Sequence, residues 1–481
     1  MSDPLDALAR EALSQIDALS YPRKPWVIPR QHGALPVLDV AILGAGQSGL
    51  SIAFGLMREN VTNIRLYDRT QPGEAGPWTS FARMKTLRTP KHVSGPEMGI
   101  PALTPEAWYR ARFGDAAWAR LGKIPKAEWQ DYLSWLRGVV QPPIAHGVEV
   151  LALEPLDGGI TAIRLRDADG HESTDFARAV VLAPGIQGTG AWAVPEFVSA
   201  ALPARLYAHT ADQIDFAALR GRRIAVLGGG ASAFDNAACA LEAGAARVDL
   251  FVRRAKLPPV NPYRWMEFTG FLRNFPDLDD AMKWEFMQTI FRMNQPPPQD
   301  TFDRCAAWDS FAIHYDSPVT ALAEQAGKVA VATPRARVEA DFLIVGTGMA
   351  IDPGLRPELA ALAPGIATWA DRFALAAGPD DYGLGAFPYL GDAFQFTGRD
   401  AASDAVLRRH YCYTFAAMVS QGCAAGISAL KFGAERVVRG ITRQLFTEDA
   451  AQHLASLRAY DEPELRPEAA PPATLSPKTD A

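Results

Sequence analysis

The 481-residue chain has only four cysteines, Cys239, Cys305, Cys412 and Cys423, and no two of them form a C-x-x-C pair. That spacing excludes a redox-active dithiol and a structural cysteine-zinc site, and leaves the thiols as reduced bystanders. No run of about 18 apolar residues is present to cross a membrane, and the opening MSDPLDALAREAL lacks the apolar centre of a secretory signal. Basic blocks are missing as well. The net charge of −6 argues against nucleic acid or a membrane surface as partner and favours small molecules. No repeat of solenoid period is present. What remains is a chain that is 48% apolar, long enough for two or three globular domains, with the cytoplasm as its expected compartment.

Strand, glycine-turn and helix patterns predict an α/β fold with two Rossmann-like dinucleotide-binding domains, the second inserted into the first. Residues 1–36 form an N-terminal extension, a short amphipathic helix followed by the proline-rich lead YPRKPWVIPRQHG. Residues 37–208 are the first part of one domain, closed by the strand ARAVVLAPG. The second domain takes residues 209–340 and carries an insertion at 257–311, read as helices plus the loop NQPPPQD. Residues 341–460 return to the first domain, beginning with ADFLIVGTGMAID and including GCAAGISALKFGAERVVRGITRQLF, read as a long terminal helix. The Pro- and Ala-rich tail, 461–481, is expected to be disordered.

Two glycine turns carry the chemistry. In the first, Gly44, Gly46 and Gly49 fit G-x-G-x-x-G after the strand LDVAIL. The first glycine allows the tight turn, the second lets backbone approach a pyrophosphate, and the third permits close helix packing. Gln47 and Ser48 then open the helix whose N-terminus faces the anion. IRLYD follows and ends in Asp68, an acid placed to accept hydrogen bonds from an adenosine ribose. The bland alternative is a glycine turn that binds nothing.

The second turn has Gly228, Gly230 and Ala233, with Ala231 and Ser232 opening its helix. Its next strand, VDLFVRRAK, puts Arg253 and Arg254 where the first unit has its acid. Paired guanidinium groups suit a 2′-phosphate, which a carboxylate would repel, unless they are simply a solvated charge pair. One unmodified ribose and one 2′-phosphate point to FAD and NADPH.

The paired turns, the GPW triplet at Gly76–Trp78, and the strand-end turns VVLAPG and IVGTGMAID resemble class B flavoprotein monooxygenases over most of residues 37–450. That group includes the flavin-containing, Baeyer–Villiger and N-hydroxylating enzymes. The resemblance implies that Gly44, Gly46, Gly49 and Asp68 hold FAD. Trp78 and the stretch RMKTLRTPK would wall the flavin ring, with Met84, Arg88 and Thr89 on the flavin side. Thr89 and His209 are the catalytic candidates. PARLYAHTADQ keeps His209 with Thr210, although Pro203 and Arg205 stand where the family has Phe and Gly. Asp392, in PYLGDAFQF, matches a flavin ribityl partner of the related reductases, and a helix starting at Gly422–Gly426 would face the flavin pyrimidine.

The chemistry this implies is NADPH reduction of FAD, capture of oxygen as a C4a-hydroperoxyflavin, and oxygenation of a small nucleophile, foremost N-hydroxylation of an amine. Baeyer–Villiger oxidation of ketones, a reductase passing electrons to a protein partner, and a redox sensor are the competing readings. The insertion at 257–311 is the expected lid. Within it Trp265, Phe268, Phe271, Trp284, Met287 and Phe291 recur at near-helical spacing and read as core. Arg264, Arg273 and Arg292 could grip a substrate carboxylate, or sit on solvated helix faces. The sequence leaves substrate and oligomeric state open.

Overall fold

The run Leu35–Leu43 is buried on both faces over its last five residues, as suits a central parallel strand. In the computed structural model, which describes residues 3–93, 95–373, 382–422 and 426–465, it sits in the middle of the first sheet. Ile64–Asp68 and Glu172–Leu182 flank it in parallel, and Ile144–His146 and His410–Cys412 extend the sheet on either side. The first half of Glu172–Leu182 also pairs antiparallel with Ile160–Arg166, which pairs with Glu149–Leu156.

The second sheet repeats this plan. Phe311–His314, Arg247–Phe251, Arg223–Leu227, Phe342–Val345 and Tyr207–His209 are all parallel. A three-stranded antiparallel meander, Ala321–Gln325, Lys328–Ala332 and Arg337–Ala340, again precedes the closing strand. The fold is therefore mixed α/β with two dinucleotide-binding units. Because His410–Cys412 joins the first sheet after the second is complete, the second unit is inserted in the first.

Two boundaries differ from expectation. Phe342–Val345, read as the start of the return at residue 341, pairs with Arg223–Leu227 inside the second sheet. Tyr207 and Ala208, assigned to the first domain, also pair there. Phe342–Val345 is the second unit's counterpart of Glu172–Leu182: each follows a meander and ends beside a glycine turn. The link between units is the antiparallel ribbon of Gly190–Trp192 with Met349–Ile351.

The N-terminal helix Pro4–Ala18 is capped by Asp3, whose carboxylate accepts from the Leu5 N–H. It packs Leu5, Leu8, Ala12 and Ile16 onto a cluster built from Trp108, Trp129, Tyr132 and Leu136. The terminal helix starts later than expected, at Leu430, and runs to Glu448. Gly422, expected to open it, instead terminates the short helix Met418–Gln421 at a φ of +78°. A further helix, Ala450–Arg458, follows. Cys423 and most of the expected tail, from residue 466, lie outside the described residues.

The insertion forms the helices Pro262–Trp265, Thr269–Asn274, Asp280–Met293 and Gln299–Ala306. Phe271, Phe275, Trp284 and Met287 bury themselves against Trp369, Phe387, Met418 and Val419 of the first unit. Trp265 and Phe268, expected in the core, are 56% and 48% exposed. They share the spacing of Phe271, but periodicity names a face and not what covers it.

Candidate functional site

The first turn is built by steric necessity. Gly44 has φ +101°, and a Cβ there would collide with the Ala183 carbonyl; one on Gly49 would collide with the Gly44 carbonyl. Gly46 differs. A Cβ on it would meet nothing nearer than Gly76 Cα at 3.9 Å, so the space above it is open. The helix Gln47–Arg58 begins there with no side-chain cap from Gly46, so its positive N-terminal end faces that space. Asp68 is buried at the end of its strand, where Oδ2 accepts from the Ala45 N–H at 2.8 Å and Oδ1 from the Thr70 N–H at 2.9 Å. The turn itself thus orients the acid.

Sequence reasoning missed the helix Lys126–Val140, which lies across this turn. The Trp129 indole N–H donates to Gln47 Oε1 at 3.2 Å, and Trp78 packs edge-on to Trp129 at 6.4 Å. Gln130 donates to the Gly73 carbonyl while its buried Oε1 has no partner. Arg137 donates through Nη2 to the Ala45 carbonyl at 3.2 Å, and its Nε is likewise unpartnered. Burial draws the Arg137 pKa down, and Asp68 opposes this. An uncapped helix N-terminus, open space over Gly46, an oriented acid and a spare guanidinium N–H together fit a dinucleotide pyrophosphate. The only sequence signal was a polar pair, Gln130 and Arg137, seven residues apart on an otherwise apolar helix face.

The second turn uses the same logic with one exchange. A Cβ on Gly228, at φ +121°, would collide with the Gly346 carbonyl. Ala233 fits at the third position because glycine stands opposite it: a Cβ on Gly346 would lie 2.8 Å from Ala233 Cβ. Helix Ala231–Glu242 starts at Gly230, again uncapped, and the Ser232 carbonyl accepts from Asn236 inside it. Arg253 and Arg254 are exposed at the strand end, and among the described residues neither has an acidic partner. Two neighbouring cavities, of about 630 and 520 Å³, open at this end of the second sheet.

The stretch expected to wall the flavin makes its ion pairs with the second unit. Arg88 pairs with the buried Asp235 at 2.9 Å, and Asp235 also accepts from the Thr301 hydroxyl at 2.9 Å. Lys85 pairs with Glu242 at 2.8 Å, and Arg83 donates to the Asp212 carbonyl at 2.9 Å. Met84 and Thr89 are half-buried between these anchors. His209 is buried and stacked on Trp192 at 5.3 Å, which meets Phe81 edge-on at 5.6 Å. Its Nδ1 accepts from the Ala211 N–H, which puts the ring proton on Nε2, and burial lowers its pKa. It is a neutral donor beside the interdomain ribbon.

Four candidates remain. Asp392 is exposed and held to about 2 by Arg443, which meets both its oxygens at 2.9 Å, so it is an ion-pair partner and not a free ribityl acceptor. The three arginines that could grip a carboxylate or sit on solvated faces ride on three separate helices. Arg264 pairs with Glu267 at 2.6 Å and donates to the Arg88 carbonyl. Arg273 pairs with Glu435 at 3.4 Å and covers the Phe432 ring. Arg292 lines the smaller cavity.

Residues 110–268 match the family model of L-lysine 6-monooxygenase/L-ornithine 5-monooxygenase. The chain is 44% identical over 450 residues to an FAD-dependent urate hydroxylase of Xanthomonas campestris, covering 93% of this chain and 94% of that protein. The chain belongs to the class B flavoprotein monooxygenases. It is accordingly an oxidoreductase of an FAD- and NADPH-dependent class that oxygenates small molecules with O2, and N-hydroxylating enzymes are among its relatives. One is an L-ornithine N(5)-monooxygenase of Pseudomonas aeruginosa, 31% identical over 118 residues, or 22% of this chain and 26% of that one. The fold is that of the solved ornithine hydroxylase of Pseudomonas aeruginosa in its reduced form, with a TM-score of 0.66 at 18% identity over 85% of this chain and all of that one. No helix among the described residues is long and apolar enough to cross a membrane.

Proposed function

We propose that this monooxygenase hydroxylates urate or a closely related oxopurine, with NADPH as electron donor. The observation that carries the reading is the 44% identity spread over 94% of a urate hydroxylase, against a match of 26% of the length to the ornithine enzyme. In this reading Gly44, Gly46, Gly49, Asp68 and Arg137 hold FAD, and Gly228, Gly230, Ala233, Arg253 and Arg254 hold NADPH. The bound flavin supplies the oxygen-activating chemistry. The chain's own part is to fix two nucleotides and to keep water out, for which Trp78, Phe81, Trp192 and the neutral His209 provide aromatic, uncharged walls.

The experiment is to mix the FAD-loaded protein with NADPH and, separately, urate, ornithine, lysine and a ketone, following oxygen uptake and substrate loss. We expect urate to disappear with its near-ultraviolet absorbance, matched mole for mole by oxygen uptake. Urate left intact while ornithine or lysine is N-hydroxylated would favour the second reading, an amine hydroxylase, which rests on the family-model match over 110–268. Hydrogen peroxide as the sole product with every substrate would sink both.

A further inference from the structure

We infer that Arg292, carried by the insertion, joins Arg254 and Lys256 in holding the 2′-phosphate of the nicotinamide cofactor, so that the insertion is part of the nucleotide site and not only a lid. This rests on NADPH being the donor, as proposed above. The two cavities at the end of the second sheet share Leu257, Pro258 and Pro259 as a common wall. The cations around them differ in kind. Arg88, Lys123 and Arg264, which line the larger cavity, have acidic partners: Asp235 at 2.9 Å, Asp300 at 3.2 Å and Glu267 at 2.6 Å. Arg254, Lys256 and Arg292, which line the smaller, have none among the described residues, and no acid among the described residues lines that cavity.

Among the described residues Arg292 makes only a long bond, 3.4 Å, to the Thr289 hydroxyl of its own helix. Its place in the last turn of Asp280–Met293 suits the helix dipole, which explains a cation there. It does not explain why that cation faces two others across a cavity, since like charges so gathered repel. A phosphate monoester, with about −1.5 to −2 charges at neutral pH, removes the repulsion. The position selects this anion over a substrate carboxylate: Arg254 follows the strand Arg247–Phe251, whose end is where this fold seats the adenosine ribose. The larger cavity, next along the wall, offers the amides of Asn261, Gln295 and Gln299 with the rings of Phe302 and Tyr315, a lining suited to a purine base.

The test is calorimetric titration of the FAD-loaded enzyme with NADP⁺ and with NAD⁺, comparing wild type, Arg292→Ala, and Arg273→Ala as a control on the same insertion. From the worth of one charge-assisted hydrogen bond, Arg292→Ala is expected to weaken NADP⁺ by about 10- to 150-fold while NAD⁺ changes by no more than about two-fold. Arg273→Ala should leave both unchanged, and Arg292→Lys should restore part of the loss. A wild type that binds NAD⁺ better overturns the donor assignment, and this inference with it. A wild type preferring NADP⁺, with Arg292→Ala unchanged or equally weak for both nucleotides, overturns the role of Arg292 and leaves the donor standing. Loss of urate binding in place of NADP⁺ binding returns Arg292 to the substrate.

Discussion

Asp39 sits among the most deeply buried charges of the molecule, on the central strand, with an Oδ1 that has no hydrogen-bond partner. Burial pushes its pKa up to about 6; Arg178 works against this and Asp449 adds to it. Arg178 is already engaged with Glu448 at 3.1 Å and Asp449 at 2.8 Å, and Arg30 also pairs with Asp449, so the acids share limited positive charge. The folded value lies above the unfolded one. The native state therefore holds a proton that the unfolded chain releases, and stability from this group is lost as pH rises from about 4 to about 6. Asp39→Asn should raise the thermal midpoint at pH 8, by the equivalent of about 3 kcal/mol, and do little at pH 4. A scan across that range showing a uniform loss would mean that the carboxylate is ionised and needed by Arg178. Arg137 gives the second residue-scale prediction. Arg137→Ala should keep the fold but weaken FAD by about 10- to 150-fold, the worth of one charge-assisted hydrogen bond, read as flavin fluorescence released on dilution.

At the scale of elements, the second and third glycines of the first turn should fail in different ways. Gly49→Ala puts a Cβ onto the Gly44 carbonyl, so the turn cannot close, and the apoprotein itself should lose cooperative unfolding. Gly46→Ala meets no protein atom within 3.5 Å, its nearest being Gly76 Cα at 3.9 Å, so the apoprotein should melt normally yet take up FAD poorly. Equal melting of both apoproteins would refute the distinction. Both turns were legible in the sequence because strand, turn and helix are contiguous, and each glycine answers a local steric demand. Phe342–Val345 was misplaced because its partner, Arg223–Leu227, lies over a hundred residues earlier and no local pattern says which sheet a buried strand joins. Arg137 was missed for the same reason: its value to the site comes from a helix returning across the turn. The insertion shows the limit of periodicity, which found Phe271 and Trp284 in the core but put the exposed Trp265 there too.

At the scale of the whole molecule, the two units are joined by a narrow ribbon, by the hydrophobic seam that Trp284 and Met287 form with Trp369, and by polar contacts. Most of the contacts, such as Lys85–Glu242 and Lys123–Asp300, are exposed and screened by salt, and contribute little. Arg88–Asp235 is different, because the Asp235 side chain is only 3% exposed and the stretch carrying Arg88 was expected to face the flavin. The pairing makes Arg88 a latch between the units, and the two roles predict different outcomes. If it is a latch, Arg88→Met leaves Asp235 with Thr301 and a distant Arg304, at 3.8 Å, and should destabilise the second unit by about 1 to 3 kcal/mol. Asp235→Asn should then add little to Arg88→Met, giving a coupling of comparable size in a double-mutant cycle. The flavin absorption spectrum should be unchanged in both variants, and small-angle scattering should show a larger radius as the units part. A shifted flavin spectrum in Arg88→Met, additive stabilities and an unchanged radius would return Arg88 to the flavin wall, and would leave the units held together by the ribbon, the remaining ion pairs and the hydrophobic seam of Trp284, Met287 and Trp369.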